Sequence, residues 1–188
     1  SHAGKLPDKA NYAKIEVKLT LSAMLLSYLN RRNWIPVIGH RTDLGKLAQL
    51  ANLASWDEAI RHFTQVAELI FEQRKSELES EENRIVIQVR RYIEEHLPED
   101  LSLTRLGEVV ALNPFYLSRL YKQTTGESVS DTISEVRLAK AKELLAQNQY
   151  KMHDIAKAIG FISPPYFYRF FKKATDMTPQ EYRNEVMK

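Results

Sequence analysis

Two pairs of basic residues, Arg119 with Lys122 and Arg169 with Lys172, recur at a constant offset of fifty positions. The members of each pair are three positions apart, so on a helix both cations lie on the same face. Arginine on such a face can bond guanine bidentately in the DNA major groove, and lysine suits phosphate oxygens. One such pair alone is typical of an ordinary solvated helix. Its repetition in matched surroundings favours contact with double-stranded DNA.

The two pairs belong to a longer repeat that covers residues 102–126 and residues 151–176. Beyond the turn, Tyr116 matches Tyr166 and Thr125 matches Thr175 at the same offset. Before the turn the offset is 49, because the second copy has one extra residue. The apolar matches there are Leu103, Leu106, Val110 and Leu112 with Met152, Ile155, Ile159 and Phe161. Each copy is predicted to be a short helix, a tight turn and a second helix, which is a helix-turn-helix unit.

Each turn carries a signal for the start of its second helix. Asn113 precedes Pro114 and Ser163 precedes Pro164, which places a capping side chain ahead of a proline at the first helical position. The helices that follow divide into two faces. The apolar face consists of Leu117, Leu120 and Tyr121 in the first copy and of Phe167, Phe170, Phe171 and Ala174 in the second. The opposite face consists of Phe115, Ser118, Arg119, Lys122 and Gln123, and of Pro165, Arg169, Lys172 and Lys173.

Residues 129–147, between the two copies, are predicted to form one continuous helix. A helix fixes spacing where a flexible linker would not. The two second helices could therefore enter successive major-groove segments about 34 Å apart. If the fixed spacing does not match straight DNA, the duplex must bend.

These segments resemble the AraC family of transcription regulators over about residues 84–185. The matching strings are DLSLTRLGEVVALNPFYLSRLYKQTTGES, SEVRLAKAKELL, KMHDIAKAIGF and YFYRFFKKATDMTPQEYR. The resemblance implies an all-α domain of about seven helices that reads promoter DNA, with RNA polymerase as a candidate partner. Carried over by position, it implies base reading by Phe115, Ser118, Arg119, Pro165, Tyr166 and Arg169. It implies DNA phosphate contacts by Lys122, Gln123, Lys172 and Lys173.

Three residues depart from the family pattern. Gly107 replaces the usual alanine, and a mid-helix glycine costs about 1 kcal/mol, so we expect a slightly loosened first unit. Asp176 stands where the first copy has Gly126, and must either accept a left-handed cap or end its helix differently. Pro165 cannot donate a hydrogen bond, so readout by the second unit is predicted to depend on Arg169, with Tyr166 either reading or packing. The first unit is expected to discriminate and the second mainly to anchor.

Residues 10–82 are predicted to form a helical linker or regulatory segment between a polar lead, residues 1–9, and the DNA-binding domain, residues 83–188. Residues 12–29 favour a helix with an apolar stripe of Ile15, Leu19, Ser22, Leu26 and Leu29. Residues 33–41 are predicted to be a loop, and Asp43 to cap a short helix that reaches Ala51. Ser55 begins a capping box, and the acidic residues from Glu77 to Glu82 indicate a solvated bridge, helical or frayed, at the domain boundary. Pro98 is predicted to stop the helix that follows.

This N-terminal segment resembles the helical linker of YesN-like response regulators, through LLSYLNRRN and SWDEAIRHF. The resemblance implies that a phosphorylatable receiver lies upstream of this sequence. The segment would then act as a relay or as a dimerisation element, with a second copy of the chain as partner. A small helical bundle that merely supports the DNA-binding domain remains the alternative.

The composition excludes several classes of protein. The chain has 188 residues, a net charge of +3 and no cysteine, so disulfides, thiol nucleophiles and cysteine-ligated metal sites are excluded. No stretch reaches the roughly 20 apolar residues of a membrane helix, and no zinc-protease, nucleophile-elbow or phosphate-loop motif occurs. We therefore expect an all-α cytoplasmic regulator, with no catalytic residues, cofactor or metal. The alternative is a helical protein-interaction or dimerisation module whose basic helices bind nucleic acid only non-specifically.

Overall fold

The computed structural model describes residues 9–49, 55–147 and 149–187. The chain divides into two compact units, Ser1–Leu78 and Glu79–Lys188. All regular elements in the described ranges are α-helices, which confirms the predicted all-α class. They are α1 (Lys9–Arg31), α2 (Ile35–Gly39), α3 (Gly45–Gln49), α4 (Trp56–Glu95), α5 (Leu103–Val109), α6 (Pro114–Thr125), α7 (Val129–Ala146), α8 (Met152–Ala158), α9 (Pro164–Thr175) and α10 (Pro179–Val186). In the part of the chain described, none of these helices is long and apolar enough to cross a membrane.

The first unit is built on an apolar core contributed by α1, α2, α3 and the first part of α4. Its buried residues are Leu29, Trp34, Ile38, Leu47, Ala59, Val66 and Leu69. Trp34 is 2% exposed, and its Nε1 donates to Glu77 Oε1 at 2.5 Å. The predicted loop at residues 33–41 is wrong, because α2 forms within it. Pro36 lies in the first turn of α2, where its missing N–H is not needed, and Ile38 is fully buried.

The packed face of α1 differs from the predicted stripe. Ser22 and Leu29 are buried as expected, but Leu19 is 49% exposed and Lys18 is buried in its place. The ammonium of Lys18 lies 5.9 Å from the ring centroid of Trp56, so an aromatic ring in α4 accommodates this long side chain. Of the predicted lead, Lys9 begins α1. Residues 1–8, like Ala51 of the predicted short helix, lie outside the described residues.

The acidic bridge lies inside α4, which continues through it without interruption to Glu95. Ser55 Oγ accepts the N–H of Glu58 at 3.2 Å, which is one of the two hydrogen bonds of the predicted capping box. Within the acidic segment, Arg84 forms an ion pair with Glu81 at 2.7 Å across one helical turn. Pro98 follows the end of α4 by three residues, in agreement with its predicted role.

The second unit contains two apolar clusters, and α7 contributes to both. The first cluster joins the end of α4 to α5 and α6 and includes Leu106, Leu117 and Val129. The second joins α8, α9 and α10, and α7 contributes Ala141, Leu144 and Leu145 to it. Each helix-turn-helix unit therefore has its own core, and the linking helix is packed into both.

The turns of the two units differ by one residue, and this difference explains Gly107. Each helix-turn-helix turn has one residue with a left-handed backbone, Ala111 with φ 54° and Gly160 with φ 84°. The residue after it closes the turn, through Leu112 N–H to Gly107 O and Phe161 N–H to Ala156 O, both 2.9 Å. In the shorter first turn, a Cβ added at Gly107 would lie 2.6 Å from Leu112 O. The expected loosening is therefore wrong, because Gly107 is buried and permits a close backbone approach. In the longer second turn the equivalent Ala156 is accommodated at 1% exposure.

We expect Gly107→Ala to destabilise the compact unit Glu79–Lys188 by about 1 kcal/mol. Overpacking against a backbone carbonyl costs about 1–3 kcal/mol, and the better helix propensity of alanine returns about 1 kcal/mol. Urea unfolding of the variant and the wild type measures the difference. A matched variant, Ala156→Gly, loses propensity without relieving a clash and also destabilises. A more stable Gly107→Ala protein contradicts this reading of the turn.

Candidate nucleic-acid interface

The second helices of the two units, α6 and α9, begin at the predicted prolines but are capped differently. Asn113 Oδ1 accepts the N–H groups of Phe115 at 2.9 Å and Tyr116 at 3.4 Å. Ser163 makes no such side-chain bond, so its predicted capping role is wrong. The reason is that α9 starts with two prolines, which carry no N–H to be capped. The next N–H, that of Tyr166, bonds to the Ser163 carbonyl at 3.2 Å.

Both helices end in the left-handed conformation, at Gly126 with φ 83° and at Asp176 with φ 59°. Asp176 therefore accepts the left-handed cap, the first of the two outcomes considered for it. The N–H of each cap residue bonds to the carbonyl of the lysine four positions earlier, Lys122 or Lys172. Thr125 and Thr175 repeat the same pattern, since each hydroxyl lies 2.8 Å from the carbonyl oxygen one turn back.

The repeat extends beyond residues 102–126 and 151–176, into the helix that follows each of them. Ser128 and Asp131 form a reciprocal capping box at the start of α7, and Thr178 and Glu181 form its counterpart at the start of α10. Hydrogen bonds from Ser128 lower the pKa of Asp131, and those from Thr178 lower the pKa of Glu181. In both boxes these hydrogen bonds favour the ionised carboxylate. The S-x-x-D and T-x-x-E spacing was the signal that could have found this third helix in each copy.

The buried faces of α6 and α9 agree with the predicted pattern except at one position. Leu117, Leu120, Tyr121, Phe167 and Phe171 are buried, and Phe170 is half-buried. Ala174 is exposed, so its assignment to the apolar face is wrong. The core beneath α9 closes through Phe171 and Tyr182 of α10, whose ring centroids lie 5.4 Å apart.

Beneath the exposed face of α6, Tyr121 makes side-chain hydrogen bonds that the equivalent residue of α9 cannot make. Tyr121 is fully buried, yet its hydroxyl lies 3.0 Å from Thr132 Oγ1 and accepts from Arg90 Nε at 3.2 Å. The hydrogen bond to Tyr121 raises the pKa of Arg90. These bonds connect α6 to α7 and to α4. In α9 the matching residue is Phe171, which has no hydroxyl and packs instead against the rings of Phe167 and Tyr182.

The residues predicted to contact DNA lie on the opposite faces of α6 and α9. Phe115 is 80% exposed and Tyr166 is 55% exposed, and Ser118 is half-buried. The other predicted contacts are all exposed: Arg119, Lys122, Gln123, Pro165, Arg169, Lys172 and Lys173. The structure thus brings the predicted residues of each unit together on one solvent-facing surface of its second helix. Their contacts with bases and phosphates stay predictions.

On each of these helices the arginine lies over the ring of the tyrosine three residues earlier. Arg119 Cζ lies 5.9 Å from the ring centroid of Tyr116, and Arg169 Cζ lies 4.8 Å from that of Tyr166. A cation–π contact of this kind restricts where the guanidinium can point. Tyr116 was absent from the predicted site, although its match to Tyr166 in the repeat was the signal that could have included it. Tyr166 packs against Arg169 and still keeps a solvent-exposed surface.

Comparison with known proteins identifies this architecture. A family model described as a helix-turn-helix domain matches residues 106–185. The regulatory protein PocR of Salmonella typhimurium is 34% identical over 96 residues, which are 51% of this chain and 32% of PocR. The xylose operon regulatory protein of Escherichia coli is 32% identical over 121 residues, 63% of this chain and 31% of that protein. The chain therefore spans about a third of the length of these curated relatives.

This chain also matches a solved structure, and it covers a larger share of that structure than of the curated relatives. The C-terminal domain of AraT, a response regulator from Geobacillus stearothermophilus, is 37% identical, with a TM-score of 0.52. The match covers 54% of this chain and 84% of that domain. Fold and exposed basic helices together define a double helix-turn-helix, DNA-binding class of protein. The chain belongs to the AraC family of transcription regulators.

Proposed function

We propose that this chain is the DNA-binding output region of a two-component response regulator and reads promoter DNA in the cytoplasm. In this proposal α6 and α9 enter successive major-groove segments of one duplex. The observation that carries it is the same exposed Arg and Lys pair on both helices, with each arginine lying over the ring of a tyrosine one turn before it. Chance does not place such a group twice on equivalent helices that one linking helix joins.

The roles of the side chains follow from their chemistry. Arg119 and Arg169 bond guanine edges, and the exposed ring of Phe115 meets a thymine methyl group. Ser118 and Tyr166 lie beside these arginines and complete the base-reading surface. The phosphate contacts are assigned to Lys122, Gln123, Lys172 and Lys173. The first helix-turn-helix unit discriminates more strongly than the second, because α6 begins with a capped Phe115 where α9 has Pro165.

The likeness to the C-terminal domain of AraT supports the assignment to a response regulator. In that assignment a phosphorylatable receiver precedes this sequence in the whole protein. The first compact unit, Ser1–Leu78, together with the rest of residues 10–82, relays the state of that receiver or mediates dimerisation. RNA polymerase is the candidate partner at the promoter. The proposal includes no catalytic step, cofactor or metal.

Selection of bound duplexes from a random pool tests the proposal, followed by titration of the selected site at several salt concentrations. We expect the wild type to enrich one sequence and to lose affinity steeply with salt. Lys172→Ala is expected to weaken binding to all sequences alike and to reduce the salt slope by about one unit. The matched variant Arg119→Ala is expected to relax the preference at one base pair instead.

Recovery of no preferred sequence would contradict the proposal. It would favour the alternative, a protein-interaction module whose basic helices bind nucleic acid without sequence preference. Equal binding of wild type and Arg119→Ala to every selected sequence would remove Arg119 from the base-reading set. An unchanged salt slope in Lys172→Ala would remove that lysine from the phosphate contacts.

A further inference from the structure

One face of α4 carries large apolar side chains that its own unit does not cover. Ile60 is 46% exposed, Phe71 is 74% exposed and Leu78 is 49% exposed. They lie apart from the buried face of the same helix, which includes Ala59, Val66 and Leu69. Exposed aromatic and branched side chains on one helix face indicate a contact surface when they follow a regular spacing.

The spacing on this face alternates between four and three residues. We call the face the α4 seam: Ile60, Thr64, Ala67, Phe71, Arg74 and Leu78. Alternating steps of four and three are the repeat by which two helices pack side by side as a coiled coil. A helix that packs only within its own globular unit needs no second stripe of this kind.

The charges beside the α4 seam select the partner and its direction. Arg61, Glu68, Lys75 and Glu82 flank it at seven-residue intervals, and their signs alternate. In an antiparallel pair of these helices, the flanking positions of one copy face the same row of flanking positions of the other copy, taken in reverse order. With the twofold axis between Phe71 and Arg74, Arg61 of one copy faces Glu82 of the other, and Glu68 faces Lys75. All four flanking pairs, counted over both copies, then join opposite charges.

The side chains of the α4 seam are complementary in the same register. Phe71 of one copy meets Arg74 of the other, so a guanidinium lies against an aromatic ring. Ala67 meets Leu78, which pairs a small side chain with a large one. A parallel pair would instead place Arg74 against Arg74, two like charges in the centre of the contact.

From the spacing, the exposure and the charges, we propose that a second copy of this chain docks on the α4 seam with its α4 antiparallel. The partner is the chain itself because the alternating flanking charges are self-complementary in this one direction. The proposal does not depend on DNA binding, so each can fail without the other.

The charges are tested by sedimentation of the whole chain. Glu68→Lys and Lys75→Glu each turn two attractive pairs of the dimer into repulsive ones, and each is expected to weaken self-association about tenfold. The double variant Glu68→Lys/Lys75→Glu restores opposite charges and is expected to recover the wild-type dimer. Phe71→Ser should abolish it, whereas Ile87→Ser, which removes a 66% exposed side chain of α4 outside the seam, should not. A monomeric wild type, or a double variant no better than the single ones, overturns the proposal.

The direction is tested with introduced cysteines, since the chain has none of its own. In the antiparallel register, a mixture of Ala67→Cys and Leu78→Cys chains is expected to form a mixed disulfide under mild oxidation. Leu78→Cys alone is expected to form little, because the two Leu78 positions of the dimer lie at opposite ends of the contact. Efficient self-linking of Leu78→Cys indicates a parallel pair and overturns the proposed orientation.

Discussion

Replacing Gly160 by alanine is expected to destabilise the compact unit Glu79–Lys188 by about 4 kcal/mol. Gly160 has φ 84°, and a Cβ there would lie 2.2 Å from the carbonyl oxygen of Leu97 and 2.8 Å from Arg137 Nη2. The left-handed backbone costs a residue with a side chain roughly 1–2 kcal/mol, and the clash with a backbone atom adds roughly 1–3 kcal/mol. Both terms act together, because Leu97, which follows α4, is itself a buried core residue and resists displacement. Urea unfolding followed by circular dichroism measures the loss.

Gly126→Ala is the matched control, because it separates backbone strain from the clash. Gly126 has nearly the same φ, 83°, but a Cβ there would meet nothing within 4 Å. We expect it to lose only about 1 kcal/mol, in keeping with the presence of Asp176 at the equivalent left-handed position of α9. Equal losses in Gly160→Ala and Gly126→Ala would show that the approach of Leu97 contributes nothing.

The double variant Arg119→Ala/Arg169→Ala is expected to lose roughly a thousandfold in affinity for the selected DNA site. A bidentate arginine–guanine contact contributes about 1–3 kcal/mol of discrimination, and the two arginines belong to separate helix-turn-helix units, so their effects should add. Binding to a scrambled duplex should fall much less, because the lysines that hold phosphates remain. Fluorescence anisotropy with both duplexes gives the two affinities.

The control for this variant removes another arginine of the compact unit Glu79–Lys188, one that already forms an ion pair. Arg91 lies on α4, and its Nε is 3.0 Å from Glu95 Oε1. Arg91→Ala is expected to leave the preference between the two duplexes unchanged. Parallel losses on both duplexes in the double variant would mean that Arg119 and Arg169 supply charge rather than sequence recognition.

Local signals were sufficient for much of the second unit. The prolines at positions 114 and 164 define the starts of α6 and α9 within the chain itself, because proline favours the first turn of a helix. The exposed faces of α6 and α9 could be predicted from helical periodicity, which is also a local property of the sequence. Ser163 shows the limit of such signals, since its capping role depended on the N–H of the following residues, which two prolines remove.

Long-range packing decided the features that the sequence pattern missed. The sequence pattern predicted that Gly107 weakens α5, whereas in the structure a Cβ at this position would lie 2.6 Å from the carbonyl oxygen of Leu112. Lys18 is buried because Trp56 of another helix lies against it, and α2 forms where Ile38 reaches the core. In the candidate site, Tyr116 was missed because its contribution comes through contact with Arg119 rather than through its own charge.

The one-residue difference between the two turns also limits how far the units can be treated as interchangeable modules. Glycine at position 107 belongs with the short turn, and alanine at position 156 belongs with the long one. A hybrid regulator that grafts the second turn and α9 behind α5 would keep a glycine it no longer needs. The reverse graft would force the Ala156 methyl group against a carbonyl. Engineering new DNA specificities by exchanging these units therefore requires moving each turn together with the helix before it.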